Sequence, residues 1–259
     1  MSLDDLFSCR GKVALVTGAS SGLGFAIAEA MAEAGASVAC AGRDPGRLAE
    51  VVEAVRNRDA KAIAIRCEVS KEEEVQRMVA ETVEAFGCLD ILFNNAGMAA
   101  EPKPLHELST EEWNEVIDVD LRGAFFCARE ALKVMVPRRS GKIINIGSMF
   151  GLVGSSSMLS IPAYNAAKGG LTNLTRELGL YYGPLGINVN GICPGFIKTR
   201  FGNNCYENAE WLEKIDEFVP IGRIGMPDEI KGVAILLASE ASSYMCGELV
   251  AVDGGALAK

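Results

Sequence analysis

The chain has 259 residues, 49% hydrophobic and 23% charged, with 25 basic against 34 acidic side chains and a formal charge of −9 at pH 7. A chain this long buries a core without disulfide staples, and its acidic balance excludes a general nucleic-acid or anionic-membrane binder, which needs a basic surface. The single histidine, His106, argues against a Ser-His-Asp or Cys-His hydrolase and a multi-histidine metal site.

The opening segment, MSLDDLFSCRGK, begins acidic and has no apolar h-region, so secretion is not expected. The eight cysteines are scattered without a CxxC pair, which reads as free thiols in a reducing cytoplasm. Residues 143–167 carry no charge, yet five serines and Pro162 make them a poor spanning helix.

Apolar strand runs are predicted at 12–16, 37–41, 62–66, 90–93, 142–147, 187–193 and 248–252. Helical patterns lie between them near 22–34, 45–57, 71–86, 110–136, 164–182 and 227–238. Continuous apolar strands alternating with helices predict an α/β chain, a Rossmann-like doubly wound parallel sheet of about seven strands. With no linker, repeat or low-complexity segment, residues 1–259 read as one domain. The 110–136 helix is apolar on more than one face, and the 164–182 helix is rich in alanine and glycine. Such helices lie either in a deep core or in a subunit interface.

The first strand runs into Thr17-Gly18-Ala19-Ser20-Ser21-Gly22-Leu23-Gly24. Glycines 18, 22 and 24 permit a tight turn and close approach to a pyrophosphate, and the helix N-terminus offers free N–H groups to its charge. Ser20, Ser21 and Leu23 belong to the same turn. Strand 2 ends Ala41-Gly42-Arg43-Asp44, with no acidic residue at the strand end to grip a ribose 2′-hydroxyl. The Arg43 guanidinium suits a 2′-phosphate, so NADP(H) is the expected cofactor and NAD(H) the alternative. The alternative is that Arg43 is a solvated loop charge, with Asp44 merely capping the next helix.

Asn94-Asn95-Ala96-Gly97, Ser148, Tyr164-Asn165-Ala166-Ala167-Lys168 and Pro194-Gly195 lie at the C-terminal ends of predicted strands, the ligand edge of open α/β sheets. Tyr164 and Lys168, four apart, share a helix face. A phenol of pKa about 10 is a poor base until a neighbouring ammonium favours its ionised form.

These motifs, in this order over Gly11 to Gly255, resemble the short-chain dehydrogenase/reductase family. The resemblance implies that Tyr164 is the general acid/base, that Lys168 holds the nicotinamide ribose and lowers the tyrosine pKa, and that Ser148 hydrogen-bonds the substrate oxygen. It places Asn95, Ala96 and Gly97 on the adenosine side, Glu68-Val69 against adenine, and Pro194, Gly195, Ile197 and Thr199 around the nicotinamide amide. No metal is required, and a homotetramer built on the two unusual helices is implied.

Three departures stand out. Asp120, in Asp118-Val119-Asp120-Leu121-Arg122-Gly123, occupies the family's fourth catalytic position, normally asparagine. It is expected to keep a water relay to Lys168 while raising the pH optimum, or else to be a helix residue satisfied by backbone. Ser148 and Tyr164 are 16 apart, about three more than usual, lengthening the serine-rich 151–161 loop (Ser155, Ser156, Ser157, Ser160). That loop is expected to border the substrate pocket, with Met149, Phe150 and Met158 as apolar walls. Glu68 replaces the usual aspartate.

Residues 196–219 lie where the family carries a substrate lid, with Phe201, Tyr206 and Trp211 available to close over substrate and Glu207, Glu210 and Glu213 facing water. His106 reads as a surface loop residue. The expected reaction interconverts a small ketone and a secondary alcohol with NADP(H). Alternatives are an NAD-dependent sugar-acid or polyol dehydrogenase of gluconate type, a 3-oxoacyl thioester reductase, and a nucleotide-sensing scaffold without turnover. The four-residue Tyr–Lys spacing disfavours the enoyl-reductase branch.

Overall fold

The computed structural model describes residues 2–155, 158–201 and 208–258. One parallel sheet carries seven strands in the order β3-β2-β1-β4-β5-β6-β7. They are β1 (Val13–Thr17), β2 (Ser37–Gly42), β3 (Ala62–Arg66), β4 (Ile91–Asn94), β5 (Gly141–Ile146), β6 (Ile187–Pro194) and β7 (Leu249–Val252). Each boundary lies within one residue of the predicted run. The helices are α1 (Leu3–Leu6), α2 (Gly22–Glu33), α3 (Pro45–Arg56), α4 (Glu72–Phe86), α5 (Thr110–Ile117), α6 (Gly123–Arg138), α7 (Pro162–Tyr182), α8 (Ala209–Phe218) and α9 (Lys231–Ala238).

Alternate residues of a strand face opposite sides of the sheet, and here both sides are covered. Ala14 and Val16 of β1 join Ile91 and Phe93 of β4 in a core closed by α2, α3 and α9. Leu15 and Leu92 face the other side, packed beneath α4 and α6 with Leu178 and Tyr182 of α7 against them. Fully burying a side chain such as Phe93 or Leu15 stabilises the fold by about 1.5–3 kcal/mol. The chain winds outward from β1 to β3, then returns to β4 on the other side of β1. Loops after β1 and β4 therefore diverge and open a crevice at the C-terminal edge.

The single helix expected over 110–136 is instead α5, a π-helical turn at Asp118–Arg122, and α6. A capping box starts it: Ser109 Oγ accepts from Glu112 N at 3.1 Å, and Ser109 N donates to the Glu112 carboxylate at 2.8 Å. The wider π turn inserts an extra residue into the helical ladder, a deviation often found at functional sites. Helix α7 begins two residues before the predicted start, at Pro162, whose missing N–H is not needed in a first turn. The segment predicted at 227–238 starts as a 3₁₀ turn, Pro227–Ile230, before α9. Among the described residues no helix is long and apolar enough to cross a membrane.

Candidate active site

A cleft of about 910 Å³ crosses the C-terminal edge of the sheet. Gly18, Ser20, Ser21, Gly22, Leu23, Arg43, Glu68, Val69, Asn95, Ala96, Gly97, Pro194, Gly195, Ile197 and Thr199 line it, with Ser148, Tyr164 and Lys168. Residues from six strand ends, remote in sequence, thus share one crevice.

Gly24 and Asp120, also expected here, lie behind the wall rather than on it. A Cβ on Gly24 would sit 2.2 Å from the Gly18 carbonyl oxygen, so this glycine lets α2 pack against the turn rather than meeting a ligand. Gly18 has φ +64°, and a Cβ there would come within 2.8 Å of Ala96 Cα. Asn95 locks the turn from below: its Nδ2 donates to the carbonyls of Thr17 (2.9 Å) and Gly18 (3.2 Å). Thr17 Oγ1 accepts from the N–H groups of Asn95 and Ala96, both at 3.0 Å. This buried threonine gave no signal in the sequence, because its partners are almost eighty residues away.

At the N-terminus of α2, Ser21 makes no side-chain capping bond, leaving the first-turn N–H groups facing the cleft. At the far end, Arg43 lies 73% exposed with Nη1 3.6 Å from Glu68 Oε2. Asp44 does cap α3, accepting from Gly46 N (3.0 Å) and Arg47 N (3.2 Å). Arg47 adds a second, unanticipated guanidinium to the lining.

Ser148 leaves β5 as the cap of a 3₁₀ turn, its Oγ accepting from Phe150 N at 3.1 Å, and lines the cleft together with Tyr164. One turn along α7, Lys168 Nζ sits 5.6 Å from the Tyr164 ring centroid. It donates to Ile146 O at 3.0 Å and pairs with Asp120 Oδ1 at 3.0 Å. Asp120 is fully buried in the π turn, and its Oδ2 accepts from Met98 N at 3.0 Å. Asp120 is therefore satisfied by more than backbone, since it also pairs directly with Lys168.

That contact changes the expected electrostatics. Burial pushes the Tyr164 phenol above its usual range; Lys168 pulls it down, but Asp120 pushes it up again. The expected lowering by Lys168 is therefore outweighed. Burial disfavours the Lys168 charge, yet Asp120, joined by Tyr164, more than restores it and holds the ammonium above its ordinary value. Burial raises the Asp120 carboxyl despite the pull of Lys168.

Met149, Phe150 and Met158 do not line the cleft; they pack behind it with Ile161, Phe196 and Tyr164. The lengthened loop is braced instead. Ser155 Oγ bonds the Asn165 side chain at 3.1 Å, and Ser160 O accepts from Lys103 N at 2.7 Å. Ser156, Ser157, Tyr206 and Glu207 lie outside the described residues. In the 196–219 segment Phe201 lines the cleft, its ring 6.0 Å from that of Tyr164. Trp211 packs edge-on against Phe196 at 6.1 Å, anchoring α8, while Glu210 and Glu213 are exposed. His106 is 81% exposed in a 3₁₀ turn and away from the cleft lining.

A family model described as Enoyl-(Acyl carrier protein) reductase matches residues 18–256. The chain is 37% identical to sorbose reductase of Candida albicans over 97% of its own length and 89% of that protein. A short-chain type dehydrogenase/reductase from Mycobacterium marinum superposes with a TM-score of 0.95 at 34% identity, covering 100% of both chains. A gluconate 5-dehydrogenase from Burkholderia cenocepacia, solved in complex with NADP and tartrate, gives 0.93 at 31% identity, again covering 100% of both chains. The glycine turn, the Ser148–Tyr164–Lys168 constellation and these matches agree: the chain belongs to the short-chain dehydrogenase/reductase family, oxidoreductases that act on CH–OH groups.

Proposed function

We propose that the chain interconverts a ketone and a secondary alcohol with NADP(H), Tyr164 carrying the proton. The observation that carries this reading is one continuous cleft with Arg43 at one end and Tyr164, Ser148 and Lys168 at the other. The lining suits a dinucleotide: glycine backbone and the uncapped α2 N-terminus for the pyrophosphate, and Arg43 with Ser20 for a 2′-phosphate. Glu68 and Val69 would flank adenine, Lys168 would hold the nicotinamide ribose, and Pro194, Gly195, Ile197 and Thr199 would fix the amide. The bound NADP of the Burkholderia relative supports the choice of cofactor.

When bound, the nicotinamide supplies or accepts the hydride. In reduction, Ser148 Oγ–H and Tyr164 Oη–H point their protons at the carbonyl oxygen, and Tyr164 gives up its proton as that oxygen becomes an alkoxide. In oxidation the phenolate takes the alcohol proton back. Phe201, its ring beside that of Tyr164, acts to shield the reacting atoms from water. Gluconate-type chemistry remains the second reading, because tartrate, a hydroxy acid, occupies the same relative's crystal.

The reading extends to assembly and compartment. An apolar groove of about 460 Å³ lined by Phe125, Leu132, Leu174 and Leu178 runs between α6 and α7, and supports a homotetramer formed there. The seven described cysteines are free thiols, in keeping with the cytoplasm. Following reduced-nicotinamide absorbance over a panel of ketones, sugar acids and polyols tests the function. Turnover lost in Tyr164→Phe with NADPH binding intact is the expected result. Binding without turnover of any substrate would refute it in favour of a nucleotide sensor.

A further inference from the structure

Asparagine and aspartate are nearly isosteric, yet only one fits both contacts made at position 120. Asp120 Oδ2 accepts from Met98 N at 3.0 Å while Oδ1 faces Lys168 Nζ at 3.0 Å. An amide has one acceptor oxygen. Turned to Met98, it would present its NH₂ donors to an ammonium; turned to Lys168, it would present them to the Met98 N–H. A carboxylate serves both, and the π turn at Asp118–Arg122 delivers it there with no exposed side-chain surface.

Lys168 meanwhile has three N–H donors. One is spent on Ile146 O, and the ammonium stands 3.0 Å from Asp120 Oδ1 as a buried ion pair. The ammonium that should favour a tyrosine phenolate is thus paired, within the same buried pocket, with a charge that opposes it.

We infer that Asp120 is a positioning residue that keeps Tyr164 protonated by neutralising Lys168, so that the site donates a proton into alkaline solution and abstracts one only at raised pH. This rests on Tyr164 being the proton carrier of the function proposed above. The groups bearing on the phenol are few. Lys168 comes from α7, Asp120 from the π turn, Ser148 from the end of β5 and the Cys193 thiol from β6. The last is pushed up to about 11 by burial and stays neutral. Glu101 and Arg200 are exposed at the mouth of the cleft, and Asp118 is paired with Arg122 on the π turn itself.

Asp120 Oδ1 is 3.0 Å from Lys168 Nζ, itself 5.6 Å from the Tyr164 ring centroid. Charges separated on that scale in a partly wet cleft couple by roughly one pKa unit, a tenfold change in phenolate fraction. The test is Asp120→Asn, read in two ways. Ultraviolet difference titration of the unliganded protein, with Tyr164→Phe in each background as the blank, isolates the Tyr164 phenol. Its midpoint should fall by roughly one unit in Asp120→Asn. The acid limb of alcohol oxidation and the alkaline limb of ketone reduction should move down by the same amount. Asp120→Ser removes the charge with a smaller side chain and should act in the same direction, which keeps the test open if the first variant does not fold. An unmoved or raised midpoint in a folded variant overturns the inference, whatever happens to its melting temperature. Loss of turnover on every substrate would instead refute the proposed function while the phenol titration still reports on Asp120.

Discussion

Arg43 and Glu68 should alter cofactor affinity in opposite directions. Arg43 Nη1 stands 3.6 Å from Glu68 Oε2, with the arginine 73% exposed and the glutamate 21% exposed. A charge-assisted hydrogen bond contributes about 1.5–3 kcal/mol, and solvent at so exposed a guanidinium cuts this to about 1–2 kcal/mol. Arg43→Leu should therefore weaken NADPH binding by roughly 5- to 30-fold and leave NADH nearly unchanged. Glu68 holds the guanidinium but repels a 2′-phosphate. At about 6 Å and a near-aqueous dielectric that repulsion is on the order of 1 kcal/mol. Glu68→Gln should thus tighten NADPH roughly fivefold, and more at low salt than at high. Titrating cofactor fluorescence for both nucleotides measures all of this without a substrate. Equal losses for NADPH and NADH in Arg43→Leu, or weaker NADPH binding in Glu68→Gln, would refute the assignment of Arg43 to the 2′-phosphate.

Other perturbations probe the scaffold. Gly24→Ala forces a methyl to within 2.2 Å of Gly18 O and 2.5 Å of Asn95 Nδ2. The turn must shift, so calorimetry should show a loss of about 1–3 kcal/mol together with weaker binding of either nucleotide. Asp90 ties the start of β1 to α6, accepting from Val13 N at 2.9 Å and from Arg138 Nη2 at 2.7 Å. Burial opposes its charge, but Arg138 and Val13 outweigh that and hold the carboxyl below its usual value. Its contribution is therefore complete above the unfolded-state pKa, about 4, and fades as pH falls through the lower folded value. Asp90→Asn should cost about 1–3 kcal/mol near neutrality, with the gap to the parent protein closing in denaturant melts at acid pH. Phe125→Glu, in the groove between α6 and α7, should dissociate the proposed tetramer in light scattering; an unchanged mass would place the interface elsewhere.

Much of this molecule is legible along the chain because the relevant physics is local. Apolar runs such as Lys12–Val16 and Ser37–Ala41 are too short for helices and too uniformly apolar for a half-exposed sheet, and they became β1 and β2 almost residue for residue. The glycine turn and the Tyr164–Lys168 pair lie within single turns of chain, so their spacing alone placed them on the cleft. What required the folded chain was every property set by partners distant in sequence. The 151–161 loop looked like a pocket wall, but Ser160 accepts from Lys103 N, and Met149, Phe150 and Met158 pack in a cluster behind the cleft. The helix pattern over 110–136 contains no proline or glycine at Asp118–Arg122 to announce a π turn; that turn exists where Asp120 meets Met98 and Lys168.

The proposed proton carrier shows the division most clearly. Residue types and spacing determined that Tyr164, Lys168 and Ser148 would meet without need of an imidazole, as the lone histidine of this acidic chain requires. They also determined the parallel sheet on which those residues stand. Only the tertiary structure decided the direction in which the phenol is shifted, with burial the largest cause. A pKa depends on burial and on charges a few ångströms away, and both are set by side chains that the chain brings together only when it folds.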